Sequence, residues 1–393
     1  MSDETKASAT VSDYLRWRGD LTFTQDGFNE VDNLLLCIIS YIKLENIPRL
    51  RSFDPQDAMP MGDVCRLLTE EDEQLGLSTL DYIPLMRQAA ETPRFREVSL
   101  FALESLHDEA RQMQFAAVSF LLPDGSVYAA YRGTDMTIVG WQEDFNMSFL
   151  SAVPAQVKAA EYAGAVARAC PRRALRIGGH SKGGNLAVYS AVFCGEAVQN
   201  QLMRVYNNDG PGFRTSLLGL PEHRRVADKI TTILPESSVV GMLLEHEERY
   251  EVVRSTQSGL WQHDGFSWQV RGEKFEHLPD LTEGGKLVDE TIRTFILSLS
   301  PEQRVAFTDA LFDILTCTDA GTLTDLKEGG LKTAAAMLKK YRTLDKPTRS
   351  ALGSTLRLFM AAGAKTAASE LNPVNLLLRH LPLQKLADGL EKP

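Results

Sequence analysis

Residues 174–193 read Ala-Leu-Arg-Ile-Gly-Gly-His-Ser-Lys-Gly-Gly-Asn-Leu-Ala-Val-Tyr-Ser-Ala-Val-Phe, and this stretch decides the fold. Ala174 to Gly178 has the apolar pattern of a short buried strand, and Gly183 to Phe193 has helical spacing. Between them stands Gly179-His180-Ser181-Lys182-Gly183, a G-x-S-x-G motif. A chain that leaves a strand and enters a helix at one serine must turn so sharply that its neighbours two residues away have to be small. The turn lifts the hydroxyl clear of the sheet and aims helix-terminal N–H groups toward it. Ser181 is therefore the candidate nucleophile.

Outward from this turn, strand and helix patterns alternate. Phe115 to Leu122 and Ser126 to Tyr131 are strand-like and flank Pro123-Asp124-Gly125, which predicts a hairpin. Ala155 to Cys170 is Ala-rich at helical spacing, and Leu202 to Tyr206 and Ile230 to Leu234 are further strands. This alternation predicts an α/β fold with a mostly parallel central sheet flanked by helices. From Pro301 onward, Leu/Ala-rich segments at helical spacing replace the strands, with 13 basic and 10 acidic residues. The expected organisation is one α/β domain over residues 1–305, including an N-terminal helical segment, and a helical C-terminal region over 306–393. Near the N-terminus, Asp32 to Leu44 is apolar enough either to pack into the core or to cover a site.

Composition removes several classes of function. The 393 residues carry a net charge of −10, which argues against a phosphate-binding surface and hence a nucleic-acid partner. Hydrophobic residues make up 44% of the chain and are spread along it, so disorder is excluded. Cys37, Cys65, Cys170, Cys194 and Cys317 are scattered without a CxxC pair, suggesting neither a zinc site nor a disulfide framework. The polar, acidic N-terminus is wrong for a signal peptide, and Leu34 to Ile42 is too short for a transmembrane segment. The expected location is cytoplasmic. No Walker or dinucleotide fingerprint occurs, so no metal or organic cofactor is expected.

A serine hydroxyl needs a base. Of the histidines after Ser181, His223 reads as a solvated loop residue and His277 as one with little around it. His246 lies among acidic neighbours in Leu244-Glu245-His246-Glu247-Glu248, and His263 in the aromatic, Gly-containing loop Trp261-Gln262-His263-Asp264-Gly265-Phe266. His263 is the better candidate and His246 the runner-up. For the acid, Asp209 in Asn207-Asn208-Asp209-Gly210-Pro211-Gly212 sits at an expected strand end, where catalytic groups of parallel sheets gather. The same spacing also suits an Asx-turn, and Glu236 after the next strand is the alternative acid. Oxyanion donors are expected from the backbone N–H of Lys182 and from Thr134, in the turn Tyr131-Arg132-Gly133-Thr134-Asp135.

Tyr131-Arg132-Gly133-Thr134, Trp141, Asp144 and Gly179-His180-Ser181-Lys182-Gly183-Gly184 resemble the class 3 (fungal-type) lipase group of α/β-hydrolases. Tyr14 to Asp20, Asn29 to Asn33, Asn208 to Phe213 and Gln262-His263-Asp264 look like a bacterial lipase-like branch of that group, defined as a domain of unknown function. The resemblance spans about residues 13–300 and implies an α/β-hydrolase fold with an oxyanion loop at Thr134. It also implies that Leu244 to Tyr250 is a non-catalytic strand, which leaves His263 as the catalytic position. Two departures stand out. Where those lipases carry an acid, this chain has Ser238-Val239-Val240, and where they carry an apolar elbow residue it has Lys182. The acid must then come from elsewhere, with Asp209 the better candidate, or the triad is incomplete. The Lys182 charge either favours anionic or polar acyl groups or caps the surface.

These readings point to a serine hydrolase acting on a small-molecule ester, thioester or acyl-lipid. The rival is a non-catalytic α/β-hydrolase scaffold that binds an acyl ligand or a protein. A third reading is peripheral membrane contact through the C-terminal helices, with Leu356 to Gly363 as apolar face and Lys339, Lys340, Arg342 and Arg349 nearby.

Overall fold

The apolar strand patterns become one sheet whose centre is parallel. In the computed structural model the described residues are 9–69, 82–134, 152–213, 215–238, 240–242, 250–257, 259–282 and 330–344, with Asp72, Glu143, Met147 and Arg349. The chain divides into two compact units: residues 1–108, 114–133 and 154–282, and residues 109–113, 134–153 and 283–393.

Strands are β1 (Met59–Pro60), β2 (Ser99–Asp108), β3 (Met113–Leu121), β4 (Val127–Tyr131), β5 (Leu175–His180) and β6 (Leu202–Asn208). They continue with β7 (Ile230–Pro235), β8 (Tyr250–Val253), β9 (Val270–Arg271), β10 (Lys274–Phe275) and β11 (His277–Leu278). Helices are α1 (Val11–Arg18), α2 (Glu30–Ile39), α3 (Met61–Leu67), α4 (Tyr82–Glu91) and α5 (Pro154–Ala169). After the elbow come α6 (Lys182–Phe193), α7 (Glu196–Gln201), α8 (Thr215–Leu218), α9 (Pro221–Arg224) and α10 (Gly330–Thr343).

The main sheet has the order β1-β2-β3-β4-β5-β6-β7-β8-β11. From β4 to β8 every pairing is parallel. Antiparallel pairs β1–β2, β3–β4 and β8–β11 lie toward its edges, so the sheet is mixed around a parallel centre. The predicted hairpin is β3–β4. Asp124 accepts from the Ser126 N–H at 2.9 Å, and Gly125 takes the left-handed backbone the turn requires, at φ 83°.

Glycines let helices approach β5 closely on both faces. A Cβ on Gly178 would strike the Tyr128 hydroxyl and lie 2.8 Å from Asn33 of α2. A Cβ on Gly179 would strike the Gly183 backbone of α6. Successive strand residues face opposite ways, so α2 and α6 cover opposite faces.

Helix α2 starts at a capping box. Asn29 accepts from the N–H groups of Val31 and Asp32 at 2.9 and 3.1 Å, and Asp32 accepts from the Asn29 N–H at 2.9 Å. Every residue from Val31 to Ile39 is buried, which assigns this apolar segment to the core rather than to a cover over the site. Burying Asp32 demands a cation. Arg94 supplies one through Nε at 2.7 Å and Nη2 at 2.5 Å, and Tyr14 adds its hydroxyl at 2.9 Å. The remaining guanidinium donors reach the carbonyls of Leu21, Asp26 and Gly27, so α1 and the segment after it are tied to α2.

In the second unit α10 is helical, and the Tyr341 hydroxyl donates to the Arg349 carbonyl at 3.3 Å. The apolar segment Leu356 to Gly363 lies outside the described residues. Among the described residues no helix is long and apolar enough to cross a membrane.

Removing Arg94 leaves the Asp32 carboxylate buried without a counter-ion. Arg94→Met is expected to destabilise the protein by about 3–5 kcal/mol. Urea unfolding checks this, and a loss near zero would show that the pair does not hold the N-terminal helices.

Candidate active site

Strand β5 ends at His180 and α6 begins at Lys182, leaving Ser181 alone to reverse the chain. Its backbone sits at φ 60° and ψ −134°, a conformation that costs a side-chain-bearing residue about 1–3 kcal/mol. Contacts on both sides hold it: the Ser181 N–H donates to the Asn208 carbonyl at 3.0 Å, and the Ser181 carbonyl accepts from Gly184 at 2.9 Å. A Cβ on Gly183 would strike the Tyr131 carbonyl at the end of β4, and one on Gly184 would strike Asn207. Sterics thus require the motif's small residues.

At the end of β6, Asp209 is fully buried at φ 50°. Asn185 of α6 braces the loop after it, donating to the Pro211 and Gly212 carbonyls at 3.0 Å each. The Asp209 carboxylate is shared by three donors. His263 Nδ1 lies 2.6 Å from Oδ2, while Oδ1 accepts from the Ser238 hydroxyl and from the Gly241 N–H at 3.2 Å. A carboxylate only accepts, so Nδ1 of His263 carries the proton of that bond, and in the matching neutral tautomer Nε2 is the lone pair.

His263 closes a 3-10 turn, Gly259–His263. Gln262 docks this turn onto the loop after β7, accepting from the Ser237 N–H at 2.7 Å, and its carbonyl accepts from Trp268 Nε1 at 2.9 Å. The His263 carbonyl lies 2.6 Å from Nε2 of His180, and the two imidazole rings lie 4.6 Å apart at 33°. Burial, and then the neighbouring His263, push the His180 imidazole down to about 3, so it is neutral at ordinary pH. Among the described residues the Ser181 hydroxyl makes no side-chain hydrogen bond, to His263 or to any other group. Such bonds often tighten only when substrate is bound.

Of the sequence candidates, Asp209 and His263 are brought together, beside the elbow that carries Ser181. Glu236 is not part of the pair: its carboxylate reaches the Ser255 N–H at 3.5 Å. Lys182 does not cap the surface. It is 1% exposed, and its ammonium donates to the carbonyl and side chain of Gln114 at 2.9 and 2.6 Å. Thr134 is half-buried and falls in the second unit. Asp135, Trp141, Asp144 and His246 lie outside the described residues.

Two other histidines differ from expectation. His223 is buried on α9 rather than solvated, and His277, although exposed, has two carboxylate partners. The His277 ring places Nε2 at 2.8 Å from Glu30 and Nδ1 at 3.4 Å from Glu251. Glu30, Glu251 and His277 could offer a metal ion ligand atoms within 4.8 Å of one another. Both ring nitrogens face carboxylates, however, and Glu30 already accepts from the Phe275 N–H at 2.7 Å, an arrangement suited to an imidazolium.

The bond to Glu30, outweighing partial burial, raises the His277 pKa above its ordinary 6.5. A raised folded-state pKa adds stability below the unfolded value, and that stability is lost as pH rises through the folded one. The gap in unfolding free energy between wild type and His277→Gln is therefore expected to be wider at pH 5.5 than at pH 9.5. Urea unfolding at both pH values checks it, and equal gaps would show that His277 is not held as a cation.

Sequence reading missed Ser238, Gly241, Tyr41 and the carbonyl contact of His180. Only Ser238 left a signal, as the residue standing where an acid was expected. No curated relative matches the chain. A family model described as Mbeg1-like does match, over residues 89–313, a span that takes in every strand from β2 to β11 and the elbow itself. With more than half of its length inside that match, the chain belongs to the Mbeg1-like family, which is lipase-like.

Proposed function

We propose that this protein is a serine hydrolase of the class 3 lipase-like kind, cleaving an ester, thioester or acyl-lipid bond through an acyl-enzyme on Ser181. The observation that carries the reading is the buried Asp209–His263 contact at 2.6 Å, formed beside a serine elbow. In the first half-reaction Ser181 Oγ attacks the acyl carbonyl as its proton passes to His263 Nε2. His263 then returns that proton to the leaving alcohol or thiol. In the second half, water repeats the attack, giving its proton to His263, which passes it to Ser181 Oγ as the acyl–oxygen bond breaks and the acid leaves. Asp209 holds the ring's orientation and offsets its positive charge while the proton resides there. The backbone N–H of Lys182, at the start of α6, is a proposed oxyanion donor. With its ammonium bound to Gln114, Lys182 would act through its backbone alone.

The scaffold reading draws on the Ser181 hydroxyl, which makes no hydrogen bond to His263 in this state. Labelling with a fluorophosphonate probe separates the two. Wild type is expected to label, Ser181→Ala not at all, and Asp209→Asn about 10⁴-fold more slowly because the wrong imidazole tautomer is favoured. His263→Ala is expected to slow it by a comparable factor. Wild type that is folded by circular dichroism yet unlabelled would overturn the enzyme reading in favour of the scaffold.

Ser238→Ala removes one of three donors to Asp209 without removing the carboxylate. Its labelling rate is expected to fall about tenfold, the size of one net hydrogen bond to a charged group. A rate equal to wild type would show that Ser238 does not hold the acid.

A further inference from the structure

We propose that His180, the residue before the nucleophile, is a positioning residue for this reaction: by donating Nε2–H to the His263 carbonyl and packing against the His263 ring, it sets the base in place for Ser181. The inference rests on the serine-hydrolase reading above and adds to it a group that never touches the reacting atoms.

Five contacts carry it. A carbonyl oxygen can only accept, so at 2.6 Å from the His263 carbonyl Nε2 of His180 must hold a proton. Nδ1 of the neutral ring is then a lone pair, and the Tyr41 hydroxyl stands 3.3 Å from it. That hydroxyl is also 3.3 Å from the His180 carbonyl, so Tyr41 addresses both ends of the residue. Finally, the His180 and His263 rings lie 4.6 Å apart, with Trp268 edge-on to His180 at 6.3 Å.

The geometry anchors His263 twice. Asp209 holds its side chain at Nδ1, and His180 holds its backbone at the carbonyl. The Asp209 bond holds the ring at one atom, and the second bond holds the backbone from which the ring projects. Because His180 precedes Ser181 in the chain, it references the base directly to the nucleophile. A second imidazole so close would oppose the positive charge arising on His263 if it were itself charged. Burial keeps it neutral.

The test follows fluorophosphonate labelling and p-nitrophenyl acetate hydrolysis in the full-length protein, comparing wild type with His180→Phe, which keeps a ring but loses the donor. Labelling of His180→Phe is expected to reach the same endpoint about ten- to a hundredfold more slowly, the range for a reacting group displaced by up to about 1 Å. Its kcat for the ester should fall while KM stays within about twofold, because only the transition state is affected. His180→Gln, whose amide can still donate to the carbonyl, should recover part of the lost rate. A His180→Phe variant that labels at the wild-type rate overturns the proposal. So does one whose labelled fraction drops while the remainder reacts at the wild-type rate, since that is damage to folding alone. If His180→Phe does not fold, His180→Ala makes the same comparison. Wild type that fails to label at all sinks the hydrolase reading and this inference together. A wild type that labels beside an equally fast His180→Phe sinks only the latter.

Discussion

The structure depends on one backbone constraint, the reversal of the chain at Ser181 with φ at 60°. A residue with a side chain holds that conformation only when its surroundings leave no alternative. Here strand β6 receives the Ser181 N–H, helix α6 starts at the next residue, and the Gly179–Gly183 approach excludes any side chain larger than hydrogen. The same glycines set the layering. Gly178 admits α2 to one face of β5, and Gly179 admits α6 to the other, so the elbow's sterics and the close packing of both helices are one requirement.

The acid illustrates how a site keeps its chemistry when a residue type changes. Ser238 occupies the place where the resemblance leads one to look for a carboxylate. A vacant acid position would leave His263 without a partner. Instead Asp209, one strand earlier, points across to the same imidazole, and Ser238 donates to it. A buried carboxylate carries a large desolvation cost, so it needs donors on all sides. Three are supplied, and replacing an acid by serine turns an acceptor into one of them. Asp209 and Ser238 are thus two halves of one arrangement.

Much of this was legible in the sequence, for reasons that can be named. The runs that became β3 to β7 are mostly apolar, the β3–β4 turn carries Asp124-Gly125, and the elbow glycines are required by sterics alone. Asp209 stood out as a turn residue at a strand end, and His263 as the histidine of a Gly- and aromatic-containing loop, the two side chains that meet at 2.6 Å. What escaped were groups whose role depends on a partner distant along the chain. Lys182 looked exposed because lysine usually is, whereas its buried ammonium donates to Gln114, 68 residues earlier. His223 was misjudged from its charged neighbours, since it is buried, and the carboxylates that His277 meets come from other segments. No local pattern announces that Nε2 of His180 meets a carbonyl 83 residues away.

The same distance argument bears on the N-terminal segment, which precedes the family match beginning at residue 89. Asn33 of α2 donates to Asn208 at 2.8 Å, and Asn208 donates to the Gly179 carbonyl at 2.9 Å, in the strand end that carries the elbow. Tyr128 closes the network by donating to Asn33 at 2.6 Å. Farther along, Tyr41 reaches His180. An amide buried here with one partner missing would cost about 1–3 kcal/mol, so these groups bind α2 to the sheet as a set. Helix α2 is itself held by the Asp32–Arg94 pair, whose arginine does lie within the matched span. The elbow's underside is therefore completed by residues 29–41. A chain beginning at residue 89 would retain Ser181, Asp209 and His263 but lose the contacts that fix the strand end between them.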